Sequence, residues 1–244
     1  RALGRIESDW DVPEGMGVAG TAQALLSDGH QGSAEATIVA LGVSKDPAAT
    51  GTLIALLTDG MAARSMCKVD SIDSRRRSLA AYALALAVRD GVDDGTEKRV
   101  AGALLDTLRD GHAAPYDLQL ATALALGSIP LDDHGDGTIE DEGAVHLCLK
   151  MQLGALTEFV RDERRHPWLR AHGLIPLARV AARARPETRD AALERLIEPL
   201  ELNSKASPEA QQSAAIALGL VADCDADAVD AKALDALFRG ATRG

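Results

Sequence analysis

Aromatic residues are nearly missing from this chain. Two Trp, two Tyr and two Phe make up 2% of 244 residues, so the core has to be assembled from many small aliphatic contacts. Strand signals are missing too, since no run of β-branched and aromatic residues alternates with period two. No stretch of 18 apolar residues occurs, and nothing predicts a membrane span. Cysteine is scarce: Cys67, Cys148 and Cys224 are odd in number and far apart. They form neither a disulfide framework nor a zinc pattern. They read as reduced thiols, an expectation that leans towards the cytosol. Positive charge is in deficit, with 26 Lys and Arg against 37 Asp and Glu and a net charge of −11. Such a chain repels phosphate backbones, which argues against general nucleic-acid binding. No G-x-S-x-G or C-x-x-C occurs, so neither pattern names an activated nucleophile. The chain opens at Arg1, so the natural N-terminus is expected upstream and any signal peptide is unread.

What is present is aliphatic and helical. Hydrophobic residues are 46% of the chain, carried largely by Ala and Leu, which lose little side-chain freedom in a helix. Two short strings recur. The first is "LLSDGH" at 25–30, "LLTDGM" at 56–61 and "TLRDGH" at 107–112. The second is "IVALG", "ALALG" and "AIALG", ending at Gly42, Gly127 and Gly219, with looser copies ending at Ala87 and Ala178. Successive copies of the second lie 45, 40, 51 and 41 residues apart, at or near the roughly 40–47 residues of a two-helix repeat. The long interval holds an acidic insertion, "DDHGDGTIEDE", at 132–142.

Each unit reads as helix, turn, helix. First helices carry Leu at three- and four-residue spacing (Leu53, Leu56, Leu57; Leu104, Leu105, Leu108; Leu193, Leu196, Ile197, Leu200; Leu234, Leu237, Phe238), which aligns one apolar stripe. Gly29, Gly60 and Gly111 are expected to end helices in the left-handed conformation, and Asp28 and Asp59 to accept from the free N–H groups of the following helix. Pro47, Pro186 and Pro208 sit where helices begin. The pattern predicts helix pairs near 17–43, 47–89, 96–128, 143–183 and 187–222, and a lone helix at about 227–239.

These units resemble the HEAT-repeat family, whose repeat pairs a Leu-rich helix ending in Asp with a second helix of the form V-R-x-x-A-x-x-A-L-G. The fourth unit matches best, with Asp162 ending its first helix and "LRAHGLIPLA" (169–178) as its second. The resemblance implies an all-α, right-handed α-solenoid of about five HEAT-like helical hairpins plus a terminal helix. It would span 17–240, after an extended or irregular segment at 1–16. The family's Arg, which sits in an Asp–Arg ladder, is matched by Arg170 and replaced by Ala34, Gln119 and Gln211. On that basis Arg170 should pair with Asp162. Pro176 should kink the fourth second-helix.

Candidate chemistry is thin. "GMGVAG" at 15–20 fits G-x-G-x-x-G, but a dinucleotide site needs a strand before it, and a polar, Pro-containing stretch stands there. The acidic insertion aligns Asp132, His134 and Asp136 with a calcium loop. However, His134 is a poor ligand for a hard cation, and Gly143 stands where a bidentate Glu belongs. His30 and His112 follow two of the Asp-Gly joints, while Met61 follows the third; they read as joint residues rather than a catalytic set. No His-Glu pair occurs, unlike the HEAT-like hydroxylases. HEAT-like DNA glycosylases need a basic, aromatic-bearing groove, which six aromatics support poorly.

Charge distribution points further. Residues 161–195 hold nine Arg and five acids, while 132–142 alone hold six acids. Arg161, Arg164, Arg165, His166 and Trp168 meet at one joint, and Arg and Trp are enriched in binding hot spots. The expected function is a non-enzymatic protein–protein interaction scaffold whose partner is another protein, with no nucleic acid, membrane, cofactor or metal. The alternatives are a HEAT-fold enzyme, bilin-lyase-like or DNA-glycosylase-like, and a cation-binding structural module.

Overall fold

The structure, a computed structural model, describes residues 18–27, 30–89, 93–110, 113–132, 147–201, 204–221 and 228–241. The segment 1–16, the stretch 15–17 of "GMGVAG", residues 133–142 of the acidic insertion, Asp28, Gly29, Gly111, His112 and Cys224 lie outside them. Among the described residues the chain is all helix, with no strand. No helix there is long and apolar enough to cross a membrane. The chain divides into two compact units, 1–125 and 126–244.

The first unit holds α1 (Val18–Ser27), α2 (Gln31–Ser44), α3 (Pro47–Leu57), α4 (Met61–Cys67), α5 (Ser74–Val88) and α6 (Asp94–Asp110), with α7 (Tyr116–Leu126) running to the boundary. Starts are set by side-chain acceptors. Asp46 accepts from Ala48 N at 2.9 Å ahead of Pro47, Asp73 from Arg76 N at 3.0 Å and Asp93 from Thr96 N at 2.9 Å. Each satisfies a donor that has no partner inside its own helix. His30 does the same for α2, with Ser33 N at 3.4 Å from Nδ1. The Leu stripes face inward: Leu53, Leu56 and Leu57, like Leu104, Leu105 and Leu108, are buried. Each is stabilised by about 1.5–3 kcal/mol relative to exposure. Helix α2 lies against α5 and α3 against α6, so first and second helices form separate layers. The predicted 47–89 pair carries an extra short helix, α4, between its two long ones.

The second unit holds α8 (Leu149–Arg161), α9 (Pro167–His172), α10 (Leu174–Ala181), α11 (Pro186–Ile197) with a 3-10 turn at Glu198–Leu200, α12 (Pro208–Val221) and α13 (Ala228–Ala241). Layering recurs, with α8 on α11 and α11 on α13 in one row and α10 on α12 in the other. The expected kink is a break at Gly173, between α9 and α10. Pro176 has no N–H for the His172 carbonyl, and its ring crowds that oxygen.

Two of the three recurrent glycines, Gly42 and Gly127, lie where helices pack closely, while Gly219 meets nothing within 4 Å. A Cβ built on Gly42 would stand 2.4 Å from the Ala83 carbonyl oxygen on α5, and one on Gly127 would stand 2.4 Å from Pro176 Cβ on α10. Neither position has room for a methyl group. Gly127 follows the end of α7, whose carbonyls are met from the side. Gln152, fully buried, donates through Nε2 to Leu126 O and, at 2.9 Å, to Ile129 O. Arg183 adds a bond to Ile129 O at 2.8 Å.

Three expectations need correction. Gly60 is not a left-handed cap: it has φ −71 and begins α4, while the preceding Asp59 has φ 55. The Asp59 carboxylate does not cap α4 either. It accepts from Ile72 N at 2.7 Å and from Arg64 Nε at 2.9 Å, and these bonds hold the conformation a side chain disfavours. In α13 the predicted Leu stripe is rotated: Ala233 and Ala236 are buried, while Leu234 is 54% and Phe238 70% exposed. Small residues allow a closer approach there, and a Cβ on Gly240 would come within 3.4 Å of Leu200.

Candidate partner-binding site

The basic joint between α8 and α9 is built around Asp162. As the C-terminal cap of α8 it sits in extended conformation, and its carboxylate turns back over the following turn. It accepts from Arg164 N at 3.1 Å and Arg164 Nε at 2.9 Å. That hydrogen bond first, and the charge second, hold the Arg164 guanidinium above its ordinary pKa. Arg164 is exposed.

Arg165 is a different kind of residue. Its side chain is 5% exposed, its Nε lies 3.6 Å from the Asp162 carboxylate, and its guanidinium sits 4.5 Å over the Phe159 ring. Burial pulls its pKa below the ordinary value, with Asp162 opposing. Of the three arginines expected to meet at this joint, Arg161, Arg164 and Arg165, the last is not at the surface. Asp162 faces two of them, and Arg165 packs inward as part of the core.

Arg170 does not make the expected pair with Asp162. Its Nε donates to Val160 O at 2.9 Å, capping the C-terminal end of α8. Arg77 treats Leu57 O at the end of α3 in the same way, at 2.8 Å. At two positions where the expected resemblance would have an Arg, Gln119 donates to Ala114 O at 2.7 Å and Gln211 to Ala206 O at 3.5 Å. These side chains serve carbonyls rather than a carboxylate ladder.

The remaining joint residues separate into two groups. His166 caps α9, with Trp168 N at 3.2 Å from its Nδ1, and Trp168 stands edge-on to His172 with ring centroids 4.5 Å apart. Trp168 stays 38% exposed. Arg161, exposed in the last turn of α8, instead lines a cleft of about 770 Å³ between the α8–α9 joint and the α11–α12 connection. Arg170, Arg195 and Lys205 also line it, against the carboxylates Glu163 and Glu198. Arg195 holds Glu198 at 3.2 Å, so positive charge is in excess. Arg195 and Lys205 were missed as site residues because they belong to the next hairpin, 34 and 44 positions from Arg161. The basic run 161–195 was a signal for Arg195; Lys205 lies beyond it.

Among the described residues no group of three or more His, Cys, Asp and Glu is placed to hold a metal ion. Cys67 and Cys148 are buried, and burial pushes the Cys67 thiol above its ordinary pKa, which makes it a poor nucleophile.

No family model and no curated protein matches the chain. Among solved structures, the crystal structure of an engineered protein is similar over 92% of this chain and 96% of its own, at 18% identity and a TM-score of 0.46. At that score the likeness carries no argument.

Proposed function

We propose that the chain is a non-enzymatic protein-binding scaffold, a right-handed α-solenoid of about five HEAT-like hairpins ending in a single helix. Its partner would present an acidic segment to the cleft beside the α8–α9 joint. The observation that carries this reading is the lining itself: Arg161, Arg170, Arg195 and Lys205 face one open space with only Glu163 and Glu198 to balance them. In a chain of net charge −11, such a concentration of cations selects for negative charge and would speed association with it. Trp168, part exposed on α9, is a further aromatic surface residue of the kind enriched in binding hot spots. The helical layers and the recurrent close-packed glycines support the repeat architecture, because stacked hairpins bury a continuous core while leaving their connections free to vary.

The test is titration of the chain with a fluorescein-labelled Glu-rich peptide at several salt concentrations. Binding should weaken as salt rises and fall sharply in the double variant Arg161→Glu, Lys205→Glu. Arg164→Glu should weaken it less, because that guanidinium already shares the Asp162 carboxylate. Affinity unchanged in the double variant would place the interface elsewhere and defeat the reading.

A further inference from the structure

We propose that the cleft beside the α8–α9 joint takes an aliphatic side chain flanked on both sides by acidic ones, so that the bound segment reads acid, aliphatic, acid. The inference rests on the reading of that cleft as a protein-binding site, and it names what the partner must carry there. It starts from the part of the lining that charge does not explain. Val160, Pro199, Ala206 and Ala210 face the same space as the cations. All four are half-buried, so the cleft presents an apolar surface to water. Ala171 and Leu174, each 2% exposed, line the same space and tie that surface to the core.

The cations come from both walls. Arg161 and Arg170 belong to α8 and α9, Arg195 and Lys205 to α11 and the connection to α12. A segment made of carboxylates alone would answer the cations but press hydrated groups against the apolar lining, where they lose water without gaining a donor. An uncharged apolar segment would cover the lining and leave the cations unanswered. A segment that alternates acid, aliphatic and acid meets both demands. The volume of about 770 Å³ falls within the range of about 300–1,000 Å³ typical of clefts that enclose a drug-sized ligand. It therefore holds a side chain together with its neighbours, not a single ion. Arg195 already holds Glu198 at 3.2 Å, and Arg170 donates to Val160 O at 2.9 Å. The flanking acids thus fall to Arg161 and Lys205, one on each wall and both exposed. Ala206 and Ala210 contribute only methyl groups, and that smallness leaves the room an aliphatic side chain would fill.

The experiment titrates the whole chain with three fluorescein-labelled Glu peptides of equal length. One carries Ser at its centre, one Leu at its centre, and one Leu at its N-terminal end. Central Leu should bind at least about tenfold tighter than central Ser, as burial of one aliphatic side chain requires. Leu at the end, with acids on one side only, should fall back towards the Ser peptide. Ala210→Leu fills the space from the protein's side. It should erase the preference for central Leu while leaving the affinity for the Ser peptide within about twofold. Leu is a good helix former, and the backbone bond from Ala210 N to Ser207 Oγ does not involve the altered side chain. Circular dichroism should therefore be unchanged. Equal affinity for the Leu and Ser peptides, end Leu as tight as central Leu, or a preference that survives Ala210→Leu would overturn the proposal. In each of those cases salt-sensitive binding of the Ser peptide would leave the acidic-segment reading standing. If no peptide binds even at low salt, both readings fail.

Discussion

Each unit contains a joint in which an Asp at the end of one helix gathers an Arg a few residues on, and the two joints do different work. In the first unit Asp59 turns into the left-handed region and closes on Arg64 and on Ile72 N, thirteen residues away. The carboxylate itself is largely covered, while the Arg64 side chain stays 41% exposed. In the second unit Asp162 keeps an extended backbone and divides its carboxylate between exposed Arg164 and buried Arg165. Beside it Arg161 opens onto a cleft. The difference teaches that an Asp–Arg pair is a tie whose consequences depend on which side chain reaches solvent. A pair that is closed on itself stabilises a turn; a pair with cations to spare leaves a surface that can bind.

The largest effect should come from breaking the inward half of the second joint. Arg165→Glu places a second carboxylate beside Asp162 and against Phe159 without a counter-ion, which should cost about 3–5 kcal/mol in urea unfolding. Arg164→Glu should leave the melting temperature almost unmoved. Equal effects from the two variants would erase the distinction between buried and exposed cations. Next in size is Gly42→Ala in the first unit. The new methyl has 2.4 Å to the Ala83 carbonyl oxygen, and overpacking of this kind costs about 1–3 kcal/mol. Gly127→Ala in the second unit should behave alike, because the obstacle on Pro176 is as close. A loss at one glycine and none at the other would show that the units do not pack their second helices by the same rule.

The smallest effect concerns the first joint, and it has a pH signature. Arg64 first and Ile72 N second hold the Asp59 carboxyl below its ordinary pKa. A carboxylate depressed by folding contributes stability that is complete above its unfolded value and is lost as pH falls through the folded one. Asp59→Asn should therefore be less stable than wild type at pH 7, by about 1–2 kcal/mol. The two should converge as pH drops below about 4. A gap that stays constant down to acid pH would mean that shape, not charge, holds the turn.

Much of this architecture was legible in the sequence because it rests on local chemistry. Asp46-Pro47, Arg185-Pro186 and Ser207-Pro208 begin helices as written, since a fixed φ and a missing N–H suit the first helical position whatever lies around it. The period of the Ala-Leu-Gly string marked three glycines, but not their packing: a Cβ has no room at Gly42 and Gly127 and meets nothing within 4 Å at Gly219. The α8–α9 joint was legible as a concentration of Arg and Trp. Its inner half was not, since nothing in "RDERRHPW" says which of two neighbouring arginines faces the core.

What the sequence determined by itself was the class of element, its starts and its repeat, because helix propensity, capping and spacing act within a few residues. Tertiary structure decided the rest. It turned Arg165 onto Phe159, rotated α13 to bury Ala233 and Ala236 instead of Leu234 and Phe238, and gathered Arg161, Arg195 and Lys205 around one cleft. Each of those outcomes depends on how closely two helices approach. That distance is set by side chains far apart in the chain, so no local pattern contains it.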